Sequence, residues 1–368
     1  MFVRGVSSVQ AVAEQLVANG SESALQIAVV RDGEVIVDVA VGVVDGNPMS
    51  GTPVDSKSLF PVFSVSKGVT TLAAYRAIAR GVIGFDTPVA QVWPEFSAAG
   101  KGDIRFGEIL DHTAGLARMP RVDGIREFCD WDAMVRATAS QRSVNRGSVE
   151  YHALTFGWVV GETVRRALRD DRGFGEIVRA ELLATGASDF WFGVPQSEEQ
   201  RIVTVVSDVD PIDDGRPLLA ALPVEFATTE AVYGRPEVRR ACLPAVNGIG
   251  NAETLAFLYA GAASGSLIPH AVLEEGTQVR SATTDRLLGG FVSRGFGFYV
   301  SPGPAGRWAP PFAVDARTFG HPGSGGSIAW GDLSTGTGYA ICRSRLTGDG
   351  WRHDNIQRLI SELMAASL

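Results

Sequence analysis

The stretch Phe60-Pro61-Val62-Phe63-Ser64-Val65-Ser66-Lys67-Gly68 decides how this chain is read. From Ser64 onward, Val65, Val69, Leu72, Ala73, Ala74, Ala77 and Ile78 form a run that is small or apolar almost all round and stops at Arg80-Gly81. A helix buried inside a domain reads this way, with Ser64 at its N-terminus. Residues three apart share a helix face, so the Lys67 amine reaches the Ser64 hydroxyl, while free N–H groups of the first turn point at whatever the serine attacks. A serine attacks at neutral pH only when a base takes its proton, and a desolvated lysine can serve. Lysine is also scarce: Lys57, Lys67 and Lys101 are the only ones among 33 Lys and Arg residues, which argues against chance placement. The competing reading is an N-cap serine with a solvated lysine one turn later.

The 368 residues, 45% hydrophobic and 20% charged, can bury one large core or two smaller ones. A net charge of −8, with no lysine-rich run or aromatic–basic stripe, argues against nucleic acid as a partner. Met1 to Gly5 leads straight into an amphipathic pattern (Val6, Val9, Val12, Leu16, Val17) ending at Asn19-Gly20. There is no apolar signal core and no run of spanning length, so we expect a cytoplasmic protein with no membrane partner. Cys129, Cys242 and Cys342 lack pairing or metal-ligand spacing and fit reduced thiols. His112, His152, His270, His321 and His353 are scattered, and neither a metal nor another cofactor is expected. Asp208 to Gly215 reads as a solvated acidic turn, because Asp213 stands where a calcium loop requires glycine.

Leu25–Val30 and Glu34–Val44 are β-rich runs joined by the hairpin signal Arg31-Asp32-Gly33. The pattern predicts an amphipathic helix over Ile104–Leu116 and mostly helical structure with long irregular connections from about 120 to 265, within which 185–250, rich in Pro, Gly and Asp, shows the least pattern. Strands follow at Phe296–Val300, Ala316–Gly320, Ser327–Trp330 and Gly338–Ser344, then a final helix from about Trp351 to Ala366. Strands at both ends with helices between predict an α+β fold: one mixed sheet built from both termini, with a helical insertion. The expected division is 1–80 with 265–368 as the sheet part and 81–264 as the helical part, with the active site between them.

Covalent catalysis needs a second proton-transfer group and an oxyanion hole. Tyr151, in Glu150-Tyr151-His152-Ala153 before a helix, could relay a proton, and a lysine ammonium nearby would lower its pKa. The alternative is a tyrosine that packs the helix start. Gly320-His321-Pro322-Gly323-Ser324-Gly325-Gly326-Ser327 lets backbone approach a ligand, so an N–H there could join that of Ser64 around an oxyanion. A plain Gly-rich turn is the alternative there.

Together these stretches resemble the serine β-lactamase and penicillin-binding-protein-like superfamily, in its class C β-lactamase and family VIII esterase branch. S-x-x-K stands as Ser64-Val65-Ser66-Lys67, Y-x-N as Tyr151-His152-Ala153, and K-T-G as His321-Pro322-Gly323. His112 to Leu116 and Gly81 to Phe96 resemble the linking sequence, in order. The resemblance implies the β-lactamase-like (transpeptidase) fold, with a mainly antiparallel sheet flanked by helices. It also implies that Ser64 is acylated, that Lys67 and Tyr151 share proton transfer, and that the backbone N–H groups of Ser64 and Ser324 form the oxyanion hole. His321, with Gly323, takes the place of the third motif's side chain beside the serine. The sequence also departs from the pattern. Ala153 lacks the amide and Pro322 the hydroxyl suited to β-lactams and peptides, and His321 makes the local positive charge conditional on pH. We therefore expect a serine hydrolase, a carboxylesterase for small esters. The alternative is an acyltransferase of natural-product biosynthesis that passes the same acyl group to an alcohol or amine. A β-lactamase or D,D-peptidase ranks below these, and a non-catalytic binding protein last.

Overall fold

The computed structural model describes residues 4–46, 51–183, 188–207, 221, 224–227, 229–301, 317–347 and 353–366, so the acidic stretch from Asp208 to Gly215 lies outside the described residues. The chain opens with helix α1 (Arg4–Ala18) and the hairpin β1 (Ala24–Arg31) and β2 (Glu34–Gly42). Asp32 and Gly33 turn that hairpin with φ of +52° and +78°, as a two-residue turn of matching twist requires. Strand β3 (Phe60–Phe63) runs into α2 (Val65–Ala79), followed by α3 (Phe106–Leu110), α4 (Trp131–Ser140), α5 (Thr155–Leu168) and α6 (Phe174–Leu182). Next come β4 (Phe190–Trp191), β5 (Gly248–Gly250) and α7 (Ala252–Ala263). The last third holds β6 (Ser281–Asp285), β7 (Gly290–Arg294), β8 (Tyr299–Val300), β9 (Thr318–Pro322), β10 (Ile328–Asp332), β11 (Thr337–Arg343) and α8 (Asp354–Ala366).

One eight-stranded sheet in the order β2-β1-β11-β10-β9-β8-β7-β6, antiparallel at every pairing, joins the two ends of the chain. β1 is apolar on both faces because it is covered on both. Leu25, Ile27 and Val29 meet α1 and α8, whereas Ala24, Ala28 and Val30 face the larger core around α2 and α7. Gln26 is the polar exception: its amide donates to the Asp55 carbonyl and its Oε1 accepts the Ala252 N–H at the start of α7. A smaller sheet, β3-β5-β4, carries the strand that delivers α2.

Several boundaries differ from the sequence pattern. The helix predicted over 104–116 shrinks to α3, because Asp111 accepts from the Thr113 N–H and hydroxyl and His112 turns left-handed at φ +67°. Within Phe296–Val300 only Tyr299–Val300 is strand, since Gly297 leaves the ladder at φ +84° to donate to the Leu110 carbonyl. The hairpin β6–β7 has no apolar alternation and was not anticipated; it buries the ion pair Asp285–Arg294 beside Val292 and Ser293.

A buried pair also ties the chain ends. The Arg343 guanidinium on β11 donates to both Glu22 carboxylate oxygens, at 3.0 and 2.7 Å, and Asn355 on α8 donates to the same carboxylate. Removing one partner strands a buried charge, so Glu22→Ala should lose about 3–5 kcal/mol of stability. In urea titrations the double variant Glu22→Gln/Arg343→Met should recover most of that loss.

Candidate active site

β3 ends at Phe63 with φ +49°, a left-handed conformation that a bulky residue adopts only when its surroundings impose it. The Phe63 ring is buried edge-on to Tyr233, with centroids 5.7 Å apart, and the reversal turns the chain into α2. Ser64 stands at the helix N-terminus, partly exposed between buried Phe63 and Val65. The Ser66 hydroxyl accepts the Gly248 N–H at 2.8 Å, fixing the first turn to β5. Lys67 is completely buried; its Nζ lies 3.2 Å from the Ser64 Oγ and donates to the Ala245 carbonyl at 2.7 Å. Burial, and then the like charge of Arg294, hold the Lys67 amine well below the usual lysine range.

The carbonyl that receives Lys67 is fixed by its own loop. Asn247 accepts the Leu243 N–H and donates to the Val238 and Ala241 carbonyls, while the Thr70 hydroxyl on α2 donates to the Pro244 carbonyl. Gly157 on α5 makes room for this loop, since a Cβ there would stand 2.4 Å from the Ala245 nitrogen. Backbone acceptors leave no mark in a motif, and sequence reading missed them.

Tyr151 comes to the same place. The Lys67 Nζ, which reaches the Ser64 Oγ, lies 4.8 Å from the centre of its ring. The expectation that a lysine ammonium lowers its pKa is corrected: burial, and then Tyr299, push the phenol well above its ordinary value. The amine lies against the ring and burial disfavours its charge, so the phenol gains nothing from it. The reading of His321 changes for a similar reason. Burial, and then the field of Lys67, hold it well below the usual histidine range, so its ring is neutral rather than conditionally charged. Its Nδ1 is 2.7 Å from the Pro322 carbonyl, which only accepts, so Nδ1 carries the proton and the buried Nε2 is left without a partner.

Gly323 and Ser324 follow β9. A Cβ on Gly323 would meet the Val62 carbonyl at 2.3 Å, so glycine lets this segment lie against the strand that leads to Ser64. Ser324 is exposed and opens a short 3-10 turn, Ser324–Gly326. The structure thus gathers the Ser64, Lys67, Tyr151, His321 and Gly323 positions around the first turn of α2.

It also adds residues that the motifs did not indicate. The His152 Nε2 accepts the Leu116 N–H at 2.8 Å, which puts the His152 proton on Nδ1, 3.1 Å from the His112 Nδ1. Both rings are buried and neutral, with His152 lowered to about 3 by desolvation, and they pin the 112–116 turn behind Tyr151. On the other side lie Asp285, Arg294 and Tyr299, three residues in mutual hydrogen-bond contact through the guanidinium. In a sequence, Asp285 and Arg294 look like two surface charges.

This fold with this serine–lysine pair marks the class: serine hydrolases built on the β-lactamase scaffold. The family follows directly, because the Beta-lactamase family profile matches residues 9–361, and the chain belongs to that family. The esterase/beta-lactamase LipL of Mycobacterium tuberculosis (strain ATCC 25618 / H37Rv) is 29% identical over 347 residues, 87% of this chain and 76% of LipL. Among solved structures, a family VIII carboxylesterase superposes with a TM-score of 0.87 at 24% identity, over 99% of this chain and 98% of that one. A penicillin-binding protein homologue from Caulobacter crescentus gives 0.84 at 30% identity, again over 99% and 98%. No described helix is long and apolar enough to cross a membrane.

Two outcomes follow from the geometry. Because Lys67 is lowered and Tyr151 raised, kcat/KM should fall on the acid side as Lys67 gains its proton, with no loss from phenol ionisation up to about pH 10. A pH–rate profile on a neutral ester checks this. Gly157→Ala should drive the Ala245 carbonyl away from Lys67 and lower kcat by about tenfold or more with a smaller change in KM, as steady-state kinetics would record.

Proposed function

We propose that this chain is a carboxylesterase for small neutral esters, working through an acyl-enzyme on Ser64. One observation carries the reading. The Lys67 amine, disfavoured as a cation by burial, lies 3.2 Å from the Ser64 Oγ at a helix N-terminus. In the proposed reaction the amine takes the Ser64 proton as Oγ attacks the ester carbonyl carbon. The developing oxyanion accepts the backbone N–H groups of Ser64 and Ser324. As the tetrahedral species collapses, the ester C–O bond breaks and the leaving alkoxide receives the proton from Lys67 through the Tyr151 hydroxyl. Water then attacks the acyl carbonyl, giving its proton to the same pair, and the acid leaves as Ser64 Oγ is reprotonated.

Esters are favoured over β-lactams and D,D-peptides by what stands at the second and third motifs. Ala153 offers no amide, Pro322 no hydroxyl, and His321 is neutral, so these positions supply neither the donors nor the charge suited to a substrate carboxylate. The name of LipL, an esterase/beta-lactamase, supports ester cleavage as the starting point.

Intact-protein mass spectrometry with short p-nitrophenyl esters tests the proposal. Wild type should carry an acyl adduct that water clears quickly, and Ser64→Ala should carry none and lose at least about 10³-fold in kcat. An adduct that persists until an alcohol or amine is added would identify an acyltransferase instead. No adduct with any ester would sink the acyl-serine mechanism.

A further inference from the structure

Behind the Tyr151 ring lies a charge that the proposed chemistry does not use. Arg294 is only 2% exposed; its Nη1 donates to the Asp285 Oδ2 at 2.7 Å and its Nη2 to the Tyr299 hydroxyl at 2.9 Å. The guanidinium carbon is 5.2 Å from the centre of the Tyr151 ring. The second Asp285 oxygen accepts the Tyr151 N–H at 3.3 Å and the Leu287 and Leu288 N–H groups at 2.9 and 3.0 Å. The ion pair therefore holds Tyr151 by its backbone and lies against its ring. Burying such a pair is seldom a net gain in stability over apolar residues of the same volume. Its position beside the tyrosine calls for another reason.

The Lys67 amine lies against the same ring, 4.8 Å from its centre. A guanidinium keeps its proton under all working conditions and an amine does not, so where two cations compete in one dry pocket the lysine yields. Among the described residues, nothing else near Lys67 offsets that field. Tyr151, Tyr299, His321, His112 and His152 face it as neutral groups. Asp285 is taken up by Arg294 and three N–H groups, and Asp111, also in the field of Arg294, is held by Thr113.

We propose that Arg294, clamped by Asp285 and Tyr299, is a positioning residue whose fixed charge behind Tyr151 keeps Lys67 in its proton-accepting form. The proposal rests on the acyl-serine reading above. Arg294 touches no reacting atom; it acts through Tyr151 and Lys67.

The test follows the pH dependence of two rates, Ser64 labelling by a fluorophosphonate and kcat/KM on p-nitrophenyl acetate. The proteins are wild type, Arg294→Lys, Arg294→Gln and the charge-neutral double variant Arg294→Met/Asp285→Asn, each with its thermal transition. Losing the fixed charge should move the acid limb up by about one pH unit, costing about tenfold below the limb and little above it. Arg294→Lys, whose ammonium Asp285 keeps charged, should restore the wild-type limb. If the double variant has lost its thermal transition, Arg294→Gln supplies the comparison. A folded variant with an unmoved limb, or one slowed equally at every pH, overturns the role given to Arg294. Wild type that never labels at Ser64 overturns the acyl-serine reading first and the proposal with it, a result distinct from an unmoved limb.

Discussion

The site depends on one amine buried without a carboxylate partner among the described residues. Lys67 sits inside the protein, satisfied by the Ala245 carbonyl and within reach of Ser64. A salt bridge would have made it a stable cation and a useless base. Desolvation disfavours the charge, and the field of Arg294 adds to that. The surroundings follow the same logic: phenol and imidazole groups around the amine are all held neutral by the same dryness.

Keeping a base in such a place requires tight packing, and the tightness shows in the backbone. Phe63 accepts a left-handed conformation, Gly157 lets the Ala245 loop touch α5, and Gly323 lets the third-motif segment touch the Val62 carbonyl. These contacts come from four separate parts of the chain and converge on the first turn of α2. Strain at Phe63 persists because its ring is enclosed on the core side, so relaxing the turn would mean withdrawing the ring from its pocket.

Much of this was legible in the sequence. The all-round apolar run after Ser64, the strands at both ends and the order of the three motifs identified the sheet built from both termini and the serine–lysine pair. Legibility failed where function rests on backbone or burial. The Ala245 carbonyl carries no side-chain signature, and Asp285 and Arg294 lie in a hairpin without apolar alternation, so they read as solvated charges. The direction of the Tyr151 shift was misread because proximity to a lysine is visible in a pattern, whereas the dryness that neutralises both groups is not. His112 was read only as one of five scattered histidines and as part of a linking sequence, since its partnership with His152 depends on a left-handed turn that a sequence does not display.

The sheet also sets an order of events during synthesis. β1 pairs with β2 almost at once, but its other neighbour is β11, whose Arg343 lies opposite Leu25. Such a pairing closes across nearly the whole chain, and contacts of that sequence separation form late. On a ribosome the serine helix is made long before Arg294, His321 and β11 exist to enclose it. Until then Lys67 has neither its dry pocket nor its neighbouring guanidinium and remains an ordinary solvated ammonium. The nascent chain thus carries its nucleophile unarmed, and reactivity arrives only when the last strands dock.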